Sequence, residues 1–428
     1  MIKLIKILAC QLIFWWLLPP ARAQDQILTI EEAYKLARQN YPMIKQRDLI
    51  AASREFSVEN AKKGYLPQFS IQGQATYQSE VTEFRLPVSI PGVEFPKISK
   101  DQYKLYGEAN QVVYDGGNVK THVKAQEASA LVEEQKLEVE LYKLNERVNQ
   151  LFFGVLIADA QLEQSDMLKR DIQLGINKVE AQITNGTALK SNANILKAEL
   201  LKAQQRDIEL KTSRKAYLDM LSMLLNQQLG EAVTLVKPGF LKPETGIDRP
   251  ELTLYTVQNQ SLAVQEQLIS VKNRPRLNLF FQGGFGRPAL NILNNSFDPY
   301  YITGARLSWS LSGLYTAKNE RKLIGNNRQA IQLQRETFLF NTSLSARQQN
   351  AELERFEQLL ATDDEIIALR ERIKAASAAQ LENGIINSSD YLREVNAEDQ
   401  SRQAKILHEI QLLVSAYNLQ TTLGKPIE

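Results

Sequence analysis

The chain repeats itself. Residues 181–186 read AQITNG and residues 379–384 read AQLENG, 198 positions further on, and the segments around both also correspond in order. Each copy opens on a proline followed by alternating apolar and polar residues, LPQFSIQGQATY at Pro67 and RPRLNLFFQGGF at Pro275. A second alternating run in each copy closes on a glycine, Gly116 or Gly313. Alternation with a period of two marks strands exposed differently on their two faces, so each copy begins with a strand hairpin. The stretches from Gly116 to Asn185 and from Gly313 to Asn383 contain no proline and are rich in Ala, Leu, Glu, Gln and Lys. Each predicts one very long helix. After Asn-Gly a second helical stretch runs back, with NILKAELLKAQ at 194–204 corresponding to REVNAEDQSRQ at 393–403. The spacing between Asn-Gly and Ala-Glu differs by one residue, so one turn carries an insertion.

Three further features bound the answer. Lys3 and Lys6 precede an apolar core at 7–18, and Ala21-Arg22-Ala23 supplies a small-residue cleavage site. Residues 1–23 therefore read as a signal peptide, and the chain as an exported one. Cys10, the single cysteine, lies inside that peptide before most of its apolar core, where a lipoprotein cysteine would follow it. The mature chain thus has neither a disulfide framework nor thiol chemistry. Without Lys3, Lys6 and Arg22, 48 basic residues face 49 acidic ones, which gives no case for nucleic acid. Beyond the signal peptide no run of about 18 apolar residues predicts a spanning helix.

In the first hairpin Phe69, Ile71, Gly73, Ala75 and Tyr77 alternate with Ser70, Gln72, Gln74 and Thr76; in its partner strand Leu105, Gly107 and Ala109 alternate with Lys104, Glu108 and Asn110. In the second, Leu277, Leu279, Phe281 and Phe285 alternate with Asn278 and Gln282, and Tyr301, Ala305, Leu307 and Trp309 with Arg306, Ser308 and Ser310. Strands of about 9–11 residues suffice to cross a bilayer when tilted. Tyr77, Tyr103, Tyr300, Tyr301 and Trp309 lie towards strand ends, where membrane-interface aromatics belong. A soluble sheet with one wet face would show the same alternation. Export, strand length and terminal aromatics favour the membrane. Four strands do not close a barrel, and an open edge in lipid leaves backbone groups unpaired, so several chains must pool their strands. The intervening loops, 79–101 and 287–299, would then face the exterior.

Residues 119–184 span about 99 Å as a helix. Leu137, Leu141, Leu144, Val148, Leu151, Val155, Ala158 and Leu162 keep the alternating spacing of a coiled-coil seam, which Leu168, Ile172, Val179 and Ile183 resume after a phase shift. Ile366, Leu369, Ile373 and Ala376 repeat the pattern in the second copy. Phe152 and Leu156 flank the first seam, as expected of a helix with neighbours on two sides. A plain two-stranded coiled coil is the simpler reading of the heptads; joined to strand hairpins, the helices instead read as the wall of a tube.

Taken together, LTIEEAYKLARQNYP at 28–42, LPQFSIQGQ at 66–74, VVYDGG at 112–117, NGIINSSDYLREVNAE at 383–398 and LGKP at 423–426 make the mature chain resemble the TolC-like outer-membrane efflux protein family. No one segment is specific, since LTIEEA alone is a capped helix start with Thr29 as N-cap and Glu32 closing a capping box. The ordered set is. The resemblance implies an α+β membrane protein: a homotrimer forming a 12-strand outer-membrane β-barrel, four strands per chain, that continues into a periplasmic α-helical coiled-coil barrel. It implies a channel giving passive passage, a periplasmic membrane-fusion adaptor and an inner-membrane pump, ABC-type or proton-driven, as partners, and no cofactor. The expected organisation is a first repeat at 24–230 (hairpin about 67–114, long helix about 118–184, return helix about 188–229), an equatorial linker at 231–250, and a second repeat at 251–428 (hairpin about 276–311, long helix about 315–382, return helix about 388–423).

Asn185-Gly186 and Asn383-Gly384 become the periplasmic-tip turns and candidate adaptor contacts. Asp390 falls where family members carry the first acidic residue of a pore constriction; the next acidic family position is Arg393 here, and the first copy has Ser191 and Asn192. An Asp390–Arg393 pair could replace a doubled acidic ring. Asp390 with Ser388 and Ser389 reads equally as an ordinary helix start. The two histidines, His122 and His408, stand singly on predicted helices and no metal-ligand cluster or catalytic constellation is present in the sequence. The competing function is an exported coiled-coil structural or adhesion protein without a channel.

Overall fold

A computed structural model describes residues 27–82, 98–242 and 246–425. The expected signal peptide, the VSIPGVEFP stretch of the first hairpin loop, Pro243 and Pro426 lie outside the described residues. The chain divides into two compact units, one comprising residues 45–137 and 251–336, the other the remainder.

The first of these holds one four-stranded antiparallel sheet of β2 (Gln68–Tyr77), β3 (Asp101–Tyr114), β5 (Arg276–Arg287) and β6 (Asp298–Ser308), in that order. The two hairpins of the duplicated sequence are joined edge to edge by β3 and β5, with a register shift between Val112 and Tyr114. Strands β2 and β6 are the two edges. Helices flank each hairpin: α2 (Gln46–Lys62) and α3 (Asn118–Tyr142) for the first, α6 (Pro250–Lys272) and α7 (Gly313–Glu382) for the second. α6 and α7 pack through Leu262, Ile269, Ala317 and Ile324.

The second unit is helical, built on α1 (Ile30–Asn40), α4 (Leu144–Thr184), α5 (Lys190–Leu225) and α8 (Ser388–Leu423) with the later part of α7. Thr29 accepts from the Glu32 amide at 3.3 Å and caps α1. The largest core gathers Ile30, Ala33 and Ala37 of α1, Val148 to Leu156 of α4, Leu218, Leu221 and Leu225 of α5, and Ile410, Leu413 and Tyr417 of α8. Two short strands close over it: β1 (Ile27–Leu28) pairs in parallel with β4 (Thr234–Leu235). The 231–250 stretch is therefore not purely irregular. At its far end Asp248 donates its amide to the Leu423 carbonyl at 2.6 Å, beside the left-handed C-cap Gly424 (φ 81°).

The long helices differ between the copies. α7 runs unbroken for 70 residues, whereas the first is interrupted at Lys143, between α3 and α4. There Tyr142 donates to the Thr421 carbonyl at 2.8 Å, and the Arg249 guanidinium lies 4.7 Å from its ring, so tertiary contacts hold the chain at the interruption. The seam residues of the first copy from Leu137 to Ala158 are buried, as are Phe152 and Leu156. At the phase shift the buried positions are polar, Gln164 and Ser165. In the second copy the expected seam does not close within the chain: Ile366, Leu369 and Ile373 are 44%, 47% and 42% exposed. Both Asn-Gly reversals lead into the next helix after the same number of residues, at Lys190 and Ser388, so the one-residue difference falls inside a return helix.

A two-faced sheet and paired helix reversals as candidate functional sites

Residues opposite one another in adjacent strands share a face. The register places Ser70, Glu108 and Gln282 on one face, with Gln72, Tyr106 and Tyr300, and then Gln74, Lys104 and Asp298. The opposite face carries Phe69, Ala109 and Phe281, then Ile71, Gly107 and Tyr301, then Leu105 and Phe285. On the apolar face Phe69 is 79% and Ile71 84% exposed. Covering a side chain of this size is worth about 1.5–3 kcal/mol, and nothing among the described residues covers these. On the polar face Glu108 accepts from Gln282 Nε2 at 2.7 Å and Asn110 Nδ2 at 3.3 Å and faces Arg306 at 3.5 Å. Tyr106 donates to Gln72 at 2.6 Å. Apart from Phe280 and Ile302 the wet face is a bonded polar network; away from the Asp101–Arg287 pair at the loop end, the dry face is an uncovered apolar band.

The candidate interface aromatics divide accordingly. Tyr77, Tyr103 and Tyr301 lie on the apolar face; the Tyr103 ring lies tilted against Phe297, centroids 6.0 Å apart, and the Arg287 guanidinium sits 5.1 Å from the Tyr103 ring while pairing with Asp101. Tyr300 lies on the other side: it pairs with Gly284 and shares the polar face with Tyr106, because successive strand residues point to opposite sides. Trp309 lies just beyond β6, at the end away from the hairpin loops, and its indole donates to the Asn273 carbonyl at 3.0 Å.

The two Asn-Gly reversals are built alike. Gly186 (φ 72°) and Gly384 (φ 68°) adopt the left-handed conformation that ends a helix sharply. In each, the glycine amide and the next amide bond back into the helix: Gly186 to Ile183 and Thr187 to Gln182, Gly384 to Leu381 and Ile385 to Gln380, all at 2.9–3.1 Å. The reversals also touch. Gln182 Nε2 donates to the carbonyls of Leu381 at 2.5 Å and Glu382 at 3.1 Å, and Lys178 pairs with Glu382 at 2.8 Å, holding the Glu382 carboxyl below its usual range. Beneath them Ile172, Ile176, Val179, Leu196, Leu381, Tyr391 and Val395 form a buried cluster.

The acceptor that starts α8 is Asn387, which takes the amides of Ser389 and Asp390 at 2.9 and 3.0 Å. Sequence reasoning gave that role to Asp390 and its serines. Asp390 sits in the first turn, half-exposed, with Arg393 3.9 Å away; Arg393 lies closer to Glu394, at 3.2 Å. The pair is present and loose.

Sequence reading missed a polar belt below the reversals. Lys374 of α7 pairs with Asp171 of α4 at 2.8 Å and Glu398 of α8 at 3.1 Å, and Arg402 bonds Glu398 and Glu371. Burial opposes the charge on Lys374, but the two carboxylates outweigh it and raise its pKa. Asp399, 5% exposed, accepts from Gln164 at 2.9 Å and from Gln403. Burial raises its pKa above the usual carboxylate range. Asp207 is the opposite case: burial works against the anion, yet hydrogen bonds from Lys169 and from Ser165, the latter at 2.5 Å, hold its pKa down. The polar break in the first seam at Gln164 and Ser165 was the available signal.

Residues 33–227 match the model of the outer membrane efflux protein family. Among solved structures, the outer membrane protein VceC of Vibrio cholerae is 13% identical with a TM-score of 0.66, covering 93% of this chain and 97% of its own. The Campylobacter jejuni CmeC outer membrane channel is 14% identical with a TM-score of 0.64, over 92% and 85%. The open state of the Neisseria gonorrhoeae MtrE outer membrane channel is 13% identical with a TM-score of 0.65, over 92% and 89%. No curated protein matches the chain. Residues 33–227 thus carry the sequence pattern of the outer membrane efflux protein family, and the chain shares the fold of these channels over nearly its whole length.

Proposed function

We propose that the chain is the outer-membrane channel of a tripartite efflux or secretion system, giving passive passage from an inner-membrane pump and a periplasmic adaptor to the exterior. The observation that carries this reading is the sheet: four strands, one uncovered apolar face, one bonded polar face and two unpaired edges. An edge in hydrocarbon costs several kcal/mol per unpaired backbone group, and closure removes it. Three copies supply 12 strands, four from each, with apolar faces to lipid and polar faces to a water-filled lumen. The exposed stripe at Ile366, Leu369 and Ile373 supports assembly of several copies, since a seam that finds no partner within its chain is available to a neighbour.

In this reading the helices extend into the periplasm, the residues around β1 and β4 form the belt, and the paired reversals at Asn185-Gly186 and Asn383-Gly384 are the tip that meets the adaptor. Asp390 and Arg393 lie at the start of the returning helix, where a three-fold ring would concentrate field in a narrow mouth. Passage requires no chemistry by this chain; energy comes from the pump. The direct test is purification from outer membranes in detergent. An SDS-resistant trimer that dissociates only on heating and conducts in planar bilayers is expected; a monomer soluble without detergent would overturn the reading.

A further inference from the structure

At the base of the second hairpin a cleft of about 420 Å³ is lined by Lys272, Arg274, Arg276, Ser308, Ser310 and Ser312, with Asn273 and Thr316 beside them. Three cations meet there with little to balance them. Lys272 has Glu320 at 3.8 Å, Arg274 donates to the Gly116 carbonyl at 3.0 Å, and among the described residues no carboxylate lies within ion-pair distance of Arg274 or Arg276. Ser310 and Ser312 bond one another at 3.0 Å, presenting hydroxyls rather than carboxylates.

The duplication supplies an internal control. Counting from the prolines that open the two copies, Arg274 and Arg276 correspond to Leu66 and Gln68; counting back from Gly313 and Gly116, Ser310 and Ser312 correspond to Val113 and Asp115. In the first copy these positions serve the fold: Gln68 bonds the carbonyls of Lys63 and Leu66, and Asp115 takes the amides of Gly117 and Val119 at the start of α3. The same strand-to-helix junction therefore forms without the cations. Their presence in one copy only, around a water-accessible cleft, is not explained by the fold of the junction.

We propose that this cleft binds a phosphate-class oxyanion, a solute phosphate or a lipid headgroup. Arginine forks and hydroxyls match the geometry of phosphate oxygens, and charge assistance makes such bonds the strong ones. The chain carries its own reporter. Trp309, between two of the cleft's serines, is the one tryptophan outside the expected signal peptide, which holds Trp15 and Trp16.

The test uses the intact protein purified in a neutral detergent, titrated with inorganic pyrophosphate at constant ionic strength and followed by calorimetry and Trp309 emission. Saturable binding of one pyrophosphate per chain is expected, weakened about tenfold or more by Arg276→Gln. Because Arg276 opens β5, the double variant Lys272→Gln, Arg274→Gln, which leaves the strand intact, is measured alongside it and is expected to weaken binding comparably. Repeating the titration in nanodiscs separates the sources: loss of binding in phosphatidylglycerol but not phosphatidylcholine identifies a headgroup site, and retention in both a solute site. No saturable heat with the unaltered protein, or affinity unchanged in both variants, overturns the proposal. Neither result bears on the channel reading, which is tested by conductance and trimer resistance on the same preparation.

Discussion

Single residues set the two ends of the helical unit's behaviour. Gly175 exists for Tyr391: a Cβ there would meet the ring at 2.8 Å. Gly175→Ala is expected to cost about 1–3 kcal/mol by overpacking the cluster beneath the reversals, measured as a lower thermal midpoint by circular dichroism. Asp399 gives a pH signature. Its pKa is raised by burial above the ordinary 3.8, so the native state binds its proton more tightly than the unfolded chain does. The stability it contributes is complete below the unfolded value and is lost as pH rises through the folded one. Asp399→Asn should remove that loss, raising the thermal midpoint at neutral pH and flattening its decline above about pH 4. Gln164 Oε1, buried without a partner, can accept from the new amide once the glutamine turns over. With Asp390 at the constriction of the proposed channel, Asp390→Ala is expected to raise the conductance of the closed channel and reduce its cation preference. Unchanged currents would leave Asp390 as a first-turn residue only.

At the scale of elements, the sheet makes an asymmetric demand on neighbouring positions. Phe281 lies on the apolar face and Gln282, its sequence neighbour, on the polar one. A basic residue facing lipid at mid-depth costs roughly 2–4 kcal/mol, whereas one facing the lumen does not carry that penalty. Phe281→Arg should therefore deplete the heat-modifiable trimer from outer membranes, while Gln282→Arg should assemble and change ion selectivity. If both variants assembled equally, the assignment of faces would be wrong. Alternation in the sequence already told these faces apart, because strand geometry is local. Tyr300, next to Tyr301 in sequence, falls by the same parity on the polar face with Tyr106.

The whole molecule turns on surfaces that one chain leaves unpaired. Leu369→Glu on the exposed stripe is expected to lower the temperature at which the trimer dissociates in SDS, by placing a charge where a neighbour's apolar seam would pack, at a cost of at least about 1–3 kcal/mol per chain. A dissociation temperature identical to that of the unaltered trimer would remove the stripe from the assembly. Burial in the first copy and exposure in the second explain how a duplicated sequence yields helices with different neighbours: Val148, Leu151 and Phe152 are consumed by α1, α5 and α8, while Ile366 and Ile373 are not.

What the sequence determined alone was everything written in short periods: strand faces, long helices, the left-handed glycines at the reversals and the order of the two copies. These depend on backbone geometry within a few residues. Only the tertiary structure decided that β3 and β5 join the two hairpins into one sheet, that β1 and β4 pair, that the long first helix breaks at Lys143, and that Asp399 and Asp207 face opposite protonation pressures. Each of those results from groups more than 35 residues apart competing for the same partners, and no local pattern records which of them meet.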